Sequence, residues 1–186
     1  MIMNEDQQDS QSKAEIIWFT GLSGSGKTTL ANALCSMLKK AGRKVVVLDG
    51  DAIRQKNQNT NYTKEGRIKH LEKVAEEAQR IQKEGITVIA SLITPYQVSR
   101  DYLRSSLDNY TEIYLSTPIE VCEQRDEKGL YKKARNGEID NFTGISAPYE
   151  VPQNPDLVID TSKCTVEQTM LVIIERLYKT ISLDSK

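Results

Sequence analysis

No apolar run in this sequence approaches the roughly 20 residues that a helix needs to cross a bilayer, and the first residues, MIMNEDQQDSQSK, are too polar for a secretory signal. The chain also has almost no net charge, because it has 25 basic and 26 acidic residues. It therefore has no overall electrostatic field that would attract nucleic acid or an anionic membrane. The three cysteines, Cys35, Cys122 and Cys164, lack the close spacing of a zinc or redox motif. These absences predict reduced thiols, a cytoplasmic location, and neither a nucleic acid nor a membrane as partner.

Five short runs rich in β-forming residues alternate with helical patterns along the chain. The runs cover residues 16–20, 44–48, 86–90, 112–115 and 157–160. Such alternation predicts a parallel five-stranded sheet with helices on both faces, which is a three-layer α/β/α fold. Gly42 and Gly85 supply C-terminal stops for two of the helices.

The apolar positions of the helices predict which faces turn inward. In the first helix they are Leu30, Leu34, Met37, Leu38 and Ala41, and in the last, at about 166–177, they are Val166, Met170, Ile173, Ile174 and Leu177. The helix before Gly85 turns Ile68, Leu71, Val74, Ala75, Ala78 and Ile81 inward. His70, the single histidine, is off that stripe, and we interpret it as a solvated or substrate-edge residue rather than a base.

The 186 residues fit one domain, at 14–186, after a short polar tail at 1–13 that we expect to be disordered. Residues 126–155 fit neither the helical nor the strand period and are punctuated by glycine and proline. A segment of this length in a compact domain is usually a functional loop, and we interpret it as a lid. An irregular surface excursion is the alternative.

Residues 21–28, directly after the first β-run, read G-L-S-G-S-G-K-T and match G-x-x-x-x-G-K-[ST] in full. The context of strand and amphipathic helix indicates a P-loop whose backbone amides cradle phosphates. Lys27 would reach the β- and γ-phosphates of a nucleotide, and the Thr28 hydroxyl would ligate Mg²⁺. The motif alone does not distinguish a kinase from a GTPase, an ATPase or a nucleotide-binding module. A mere glycine-rich turn explains the glycines but not this lysine and threonine. The predicted ATP-binding residues of the loop are Gly21, Ser23, Gly24, Ser25, Gly26, Lys27, Thr28 and Thr29.

Two aspartates, Asp49 and Asp51, follow the second β-run. Ligands of parallel sheets bind beyond the carboxyl ends of the strands, so both would emerge beside the P-loop. We expect Asp49 to join Thr28 in holding magnesium and Asp51 to accept the proton of an attacking hydroxyl. Gly50 permits a sharp turn that would aim both carboxylates inward. An ordinary polar turn is the alternative, since Asp-Gly pairs are common in turns.

Basic residues lie at two further places. Arg54 follows the acidic pair and Arg67 shares the inward face of a helix, so the two could flank an acceptor that bears phosphate or sulfate. The lid segment is locally basic, and closure would bring its charges over the phosphates and exclude water. Solvated surface charges are the alternative for both sets. The lid cations are Arg125, Lys128, Lys132, Lys133 and Arg135.

Four stretches together resemble one family. They are G-L-S-G-S-G-K-T-T-L-A at 21–31, D-G-D-x-I-R at 49–54, S-x-I-T-P-Y at 91–96, and V-C-E-Q-R-D-E-K-G-L-Y-K-K-A-R-N-G-E-I-D-N-F-T-G-I-S-A-P-Y-E at 121–150. The chain resembles the adenylylsulfate kinases over nearly its whole length after the tail, and the fourth stretch is the most specific. The resemblance implies transfer of the ATP γ-phosphate to the 3′-hydroxyl of adenosine 5′-phosphosulfate, with Mg²⁺.

The resemblance also implies roles for single residues. The adenine of the acceptor would lie between Tyr62 and Phe142, since base stacking on an aromatic face contributes about 1–3 kcal/mol. Lys132 or its neighbour Lys133 would be the catalytic lid lysine, and Arg125 would pack on the donor adenine. A homodimer is implied by analogy alone. The acceptor-binding residues so implied are Asp51, Arg54, Tyr62, Arg67, His70, Ile93, Thr94, Lys132 and Phe142.

Departures from the family pattern lie on the acceptor side. Ala52, His70, Thr94 and Gln97 stand where the family usually has asparagine, asparagine, serine and arginine. Two alternatives therefore stay open. One is a related kinase that acts on another nucleotide-linked acid, such as a CDP-linked phosphoramidate. The other is a non-catalytic module that binds a nucleotide, although it would have no need of the intact lysine, aspartate and lid charges.

Overall fold

The computed structural model describes residues 14–178, so the predicted tail at 1–13 lies outside the described residues. Within that range strands and helices alternate along most of the chain. The strands are β1 Ile16–Gly21, β2 Val45–Asp49, β3 Thr87–Ser91, β4 Tyr110–Leu115 and β5 Leu157–Ile159. The helices are α1 Lys27–Lys40, α2 Gly50–Lys56, α3 Lys64–Lys83, α4 Gln97–Ser106, α5 Ile119–Arg125, α6 Leu130–Arg135 and α7 Val166–Tyr178.

All five strands pair in parallel, in the order β2-β3-β1-β4-β5. Parallel pairing requires a crossover between neighbouring strands, and the helices supply it on both faces of the sheet. The predicted five-stranded α/β/α fold is confirmed. No helix between residues 14 and 178 is long and apolar enough to span a membrane.

The core consists of two apolar layers, one on each face of β1. Ile17 and Phe19 pack with Leu34 of α1 on one face, and Ile16 and Trp18 pack with α3 on the other. Both faces are apolar because a central parallel strand is covered on both sides. Each large side chain buried in this way contributes about 1.5–3 kcal/mol relative to an exposed one.

Three positions predicted to face inward do not. Met37 is 42% exposed and Val166 is 38% exposed, and Ala41 lies beyond the end of α1 on the surface. The α1 side chains buried in the core on this face of the sheet are Leu30, Ala31, Leu34, Cys35 and Leu38. A side chain off that face of the helix points outward. Val166 opens α7 at the rim of a large cleft, where there is no core to cover it.

A short helix, α2, replaces the sharp turn predicted at Gly50. Asp49 is its N-cap, and its side chain accepts hydrogen bonds from the amides of Asp51 and Ala52. The sequence contains the signal for this helix, because an aspartate directly before a helical segment is a preferred cap. The predicted turn was wrong because Gly50 was given more weight than the capping aspartate that precedes it.

The segment at 126–155 is mostly irregular but contains α6 and one isolated bridge, between Thr143 and Ala147. The Asp126 carboxylate accepts from the amides of Tyr131 and Lys132, both at 3.1 Å, and so caps α6. Tyr131 is buried, and its hydroxyl donates to the carbonyl of Ser23 at 2.9 Å. This contact fastens the segment to the loop that follows β1.

Candidate active site

The loop between β1 and α1 forms a concave nest of backbone amides. Gly24 and Gly26 have φ angles of 75° and 95°, in the left-handed region that favours glycine. A Cβ at Gly24 would lie 2.9 Å from the carbonyl oxygen of Cys122, so this loop has no room for a side chain there. Since the nest opens onto the N-terminus of α1, backbone amides and the helix dipole both favour an anion.

Lys27 lies at the start of α1, directly at the nest. Its ammonium donates to the carbonyls of Gly21 and Leu22 at 2.9 and 2.6 Å, and the residue is 9% exposed. Burial lowers the pKa of Lys27 to about 8, although the carboxylates of Asp51 and Asp49 act in the opposite direction. A phosphate in the nest would replace those carbonyl partners with charged oxygens and stabilise the protonated lysine.

Three oxygen-bearing side chains meet beside Lys27. The Thr28 hydroxyl donates to Asp49 Oδ2 at 3.0 Å and lies 3.3 Å from the hydroxyl of Ser91. Hard oxygen donors of this kind suit Mg²⁺, which usually takes one or two protein oxygens plus phosphates and water. Among residues 14–178 no group of three or more His, Cys, Asp or Glu side chains could hold a metal by itself. The residues present therefore fit a magnesium ion that arrives with a nucleotide.

Asp51 lies in the first turn of α2. Its side chain is 71% exposed, and Lys128 Nζ lies 3.0 Å from its carboxylate. Both residues line the same cleft, so the pair joins α2 to the segment that we interpret as a lid. The carboxylate also raises the pKa of Lys128. Lys132, the predicted lid lysine, is exposed and lies outside the residues that line the cleft.

Arg54 and Arg67 both face the ring of Tyr62. Their guanidinium carbons lie 4.6 and 5.4 Å from its centroid, within the range of a cation–π contact. Arg54 also donates to the carbonyl of Asn61 at 3.0 Å, and Arg67 donates to that of Asn141 at 2.6 Å. Burial lowers the pKa of each arginine. Two partly desolvated cations therefore lie at the end of the cleft away from the nest.

The two aromatic rings predicted to sandwich a base are placed differently. Tyr62 lines the cleft and is 45% exposed. Phe142 is half-buried, packs edge to face on Tyr131 with ring centroids 4.9 Å apart, and is not among the cleft-lining residues. Arg67 links their two segments, because it donates to the carbonyls of Tyr62 and Asn141. The sandwich itself stays a prediction.

His70 is buried rather than solvated, since only 6% of it is exposed, and it lines the cleft. The apolar stripe of α3 does not indicate this burial, because the groups beside His70 include Gly50 and Arg54 of α2. Burial first, and then the positive charge of Arg54, lowers the pKa of His70 to about 4. Within the described part of the chain its Nε2 atom has no hydrogen-bond partner. The imidazole is therefore neutral at physiological pH, with an unused polar atom.

We predict that His70 makes stability pH-dependent. Its pKa is about 4 in the folded protein against 6.5 ordinarily, so the unfolded chain binds more protons between these values. The free energy of unfolding should therefore fall as the pH drops from 6.5 towards 4. Urea unfolding across this interval should show a smaller loss for His70→Gln, whose side chain does not titrate. Because the sequence has 1 histidine, equal pH dependence in the two proteins would contradict the assignment.

Ile93 and Thr94, two further predicted acceptor residues, follow β3 and line the cleft. The carbonyl of Ile93 accepts from the hydroxyl of Thr20 at 2.7 Å and from the amide of Gly21 at 3.4 Å. Thr94 is 2% exposed and has a φ of 48°. The acceptor side of the cleft is thus tied directly to β1.

Arg125 closes the opposite side of the nest. Its Nη1 donates to the carbonyl of Gly24 at 3.1 Å and to the hydroxyl of Thr161 at 2.9 Å. Thr161 in turn donates to the carbonyl of Ser25 at 3.0 Å and lies 2.8 Å from the hydroxyl of Thr117. Sequence analysis missed Thr161, although its position just after β5 was the signal, because strand ends on this edge surround the ligand.

Most of the predicted site residues line one cleft of about 880 Å³, and the exceptions are Gly21, Ser25, Lys132 and Phe142. The phosphate nest, Asp49, Asp51, the two arginines, Tyr62 and His70 all face this space or border it. A volume of this size is near the upper end of the range for small-molecule sites. The cleft can therefore take a donor nucleotide and an acceptor together.

A parallel sheet with this anion nest between its central strand and the following helix defines a P-loop nucleotide-binding protein. The adenylylsulphate kinase family matches residues 13–160, and the chain belongs to that family. The adenylyl-sulfate kinase of Clostridium kluyveri is 47% identical over 162 residues, which is 86% of this chain and 81% of that protein. The enzyme of Halothermothrix orenii is 47% identical over 166 residues, covering 89% of this chain and 90% of that one.

Solved structures agree with the family assignment. The APS kinase of Mycobacterium tuberculosis, determined in complex with AMPPNP and APS, is 35% identical and superposes with a TM-score of 0.84. The match covers 89% of this chain and 98% of that one.

Proposed function

We propose that the protein transfers the γ-phosphoryl group of ATP to the ribose 3′-hydroxyl of adenosine 5′-phosphosulfate. The observation that carries this proposal is the arrangement of one cleft. In it the phosphate nest and the two aspartates at the start of α2 adjoin a cationic, aromatic end formed by Arg54, Arg67 and Tyr62. Identity of up to 47% with adenylyl-sulfate kinases supports this acceptor over others.

On the donor side the chain binds and orients the triphosphate. The amides of the nest donate hydrogen bonds to the phosphate oxygens, and Lys27 turns from its two carbonyl partners to the β- and γ-phosphates. Thr28 and Asp49 would hold magnesium, with Ser91 as their neighbour. Bound magnesium supplies positive charge that offsets the charge of the phosphates. We propose that Arg125 presents its guanidinium to the donor adenine, since its hydrogen bonds to Thr161 fix the orientation of that group.

On the acceptor side the chain binds an anion and removes a proton. Arg54 and Arg67 attract the phosphosulfate, and the exposed face of Tyr62 stacks on the base. Asp51 accepts the proton of the attacking hydroxyl, for which it must leave its ion pair with Lys128. That lysine can then turn to the phosphates. A homodimer and a cytoplasmic location remain predictions.

An acceptor panel tests the proposal. The protein is incubated with Mg-ATP and, in separate reactions, adenosine 5′-phosphosulfate, a CDP-linked acid and plain nucleotides, and the product is identified by mass. Fast phosphorylation of the first compound is the expected result. Exclusive turnover of the CDP-linked acid would instead identify a related kinase, and ATP binding without any phosphorylated product would identify a binding module. Lys27→Met serves as the inactive control against contaminating kinases.

A further inference from the structure

Thr94 has a backbone conformation that is unfavourable for threonine. Its φ of 48° lies in the left-handed region, which β-branched residues rarely adopt. The next residue is Pro95, which also restricts the backbone that precedes it. Such a conformation persists only where the surroundings hold it, and it tends to occur at functional sites. Thr94 and Pro95 both line the acceptor side of the cleft.

Trp18 holds the side chain of Thr94. Its indole nitrogen lies 2.9 Å from the Thr94 hydroxyl oxygen, and Trp18 is fully buried in the central strand. An indole N–H can only donate, so the hydroxyl oxygen must accept in this contact. The proton of the hydroxyl is consequently directed elsewhere. It can be donated toward an oxygen in the cleft.

Arg100 holds the backbone of the same residue. It is 2% exposed, and its Nη1 donates to the carbonyl of Thr94 at 2.7 Å while its Nη2 donates to the carbonyl of Glu150 at 2.7 Å. The amide of Glu150 donates to the carbonyl of Pro95 at 2.8 Å. Glu150 is therefore connected to the Thr94–Pro95 segment both through Arg100 and directly. The nearest carboxylate oxygen, of Glu112, is 3.9 Å from the guanidinium. Its Nε and Nη2 also donate to Gln97 Oε1, at 3.2 and 2.9 Å. This buried cation is therefore held by neutral oxygens, two of which are the backbone carbonyls of Thr94 and Glu150.

We propose that Trp18 and Arg100 are positioning residues for the acceptor. Together they hold Thr94 in its left-handed conformation and tie it to Glu150, at the end of the segment interpreted as the lid. Neither contacts the donor nest, so their effect falls on acceptor binding and leaves ATP binding unchanged. The proposal rests on the proposed function only for the identity of the acceptor.

The kinetic test is Arg100→Lys, which keeps the charge but loses the planar fork that reaches two carbonyls. The KM for adenosine 5′-phosphosulfate should rise roughly tenfold, the equivalent of one hydrogen bond, while the KM for ATP changes less than about twofold. Arg104→Lys is the matched control, because Arg104 lies one turn further along α4, is 42% exposed and pairs with Glu112 and Asp156. Equal rises in both KM values, or no rise, would overturn the proposal.

A second readout does not depend on any substrate. The chain has 1 tryptophan, so its NMR spectrum contains a single indole N–H signal, from Trp18. Exchange of this proton with solvent should be slow in the wild type and in Arg104→Lys, and at least about tenfold faster in Arg100→Lys. An unchanged rate would show that Arg100 does not hold Thr94.

The two readouts separate the possible failures. If the wild-type protein does not phosphorylate adenosine 5′-phosphosulfate, the proposed function fails, whereas the exchange rates still decide whether the clamp on Thr94 exists. If Arg100→Lys does not fold, Trp18→Phe carries the kinetic test, because it keeps an aromatic ring in the core and removes the N–H donor. The same selective rise in the acceptor KM is expected, and its absence would overturn the role of Trp18.

Discussion

Replacement of Lys27 by methionine should lower kcat/KM for ATP by on the order of 10³-fold or more without unfolding the protein. The transition state of phosphoryl transfer is loose, so most of its stabilisation comes from positive charge held in place, and Lys27 is the cation nearest the nest. Methionine has a similar length and no charge. Steady-state kinetics with saturating acceptor measures the effect.

The Lys27→Met variant should remain folded, because burial of the charged lysine is itself unfavourable and methionine carries no charge. Its pKa is lowered to about 8 chiefly by burial, which means that the surroundings disfavour the charged form. Thermal unfolding should therefore show a melting temperature equal to or above that of the wild type. Lys39→Met, on the exposed side of the same helix, is the control and should retain full activity. A Lys27→Met enzyme with more than about a tenth of normal activity would contradict the assigned role.

The phosphate side of the site could be predicted from the sequence because its geometry is local. Glycine spacing, a preceding strand and a following helix fix the nest within a short stretch of chain, and the contact between Thr28 and Asp49 follows from strand ends that meet at one edge of the sheet. The parallel five-stranded sheet with helices on both faces also agrees with the alternation of β-runs and helical patterns, whereas the order of the strands is seen only in the structure.

The acceptor side was harder to predict because it depends on contacts between distant segments. His70 is buried by its neighbours rather than by its own helical stripe. The lid lysine that pairs with Asp51 is Lys128, whereas the resemblance implied a catalytic role for Lys132 or Lys133. The roles of Trp18 and Thr161 as hydrogen-bond partners are equally invisible to periodicity. A tryptophan in a predicted strand indicates a core residue. Only the folded structure shows that its N–H donates to Thr94.

Replacement of Asp51 by asparagine should lower kcat by about 10²–10³-fold and leave ATP affinity within a few-fold. Asparagine has the same shape but cannot take a proton from the attacking hydroxyl. ATP affinity changes little because Asp49, not Asp51, caps α2 and contacts Thr28. Turnover is measured at saturating concentrations of both substrates, and ATP binding is measured separately by calorimetry.

Loss of the ion pair between Asp51 and Lys128 is the competing explanation for such a defect. Lys128→Met breaks the same pair and keeps the carboxylate, so it separates the two effects. Both side chains are more than two-thirds exposed, at 71% and 67%, and an exposed pair contributes about 0–1 kcal/mol. Lys128→Met should therefore reduce kcat much less than Asp51→Asn does. Equal losses in the two variants would assign the effect to closure of the lid, and would remove the aspartate from its role as the base.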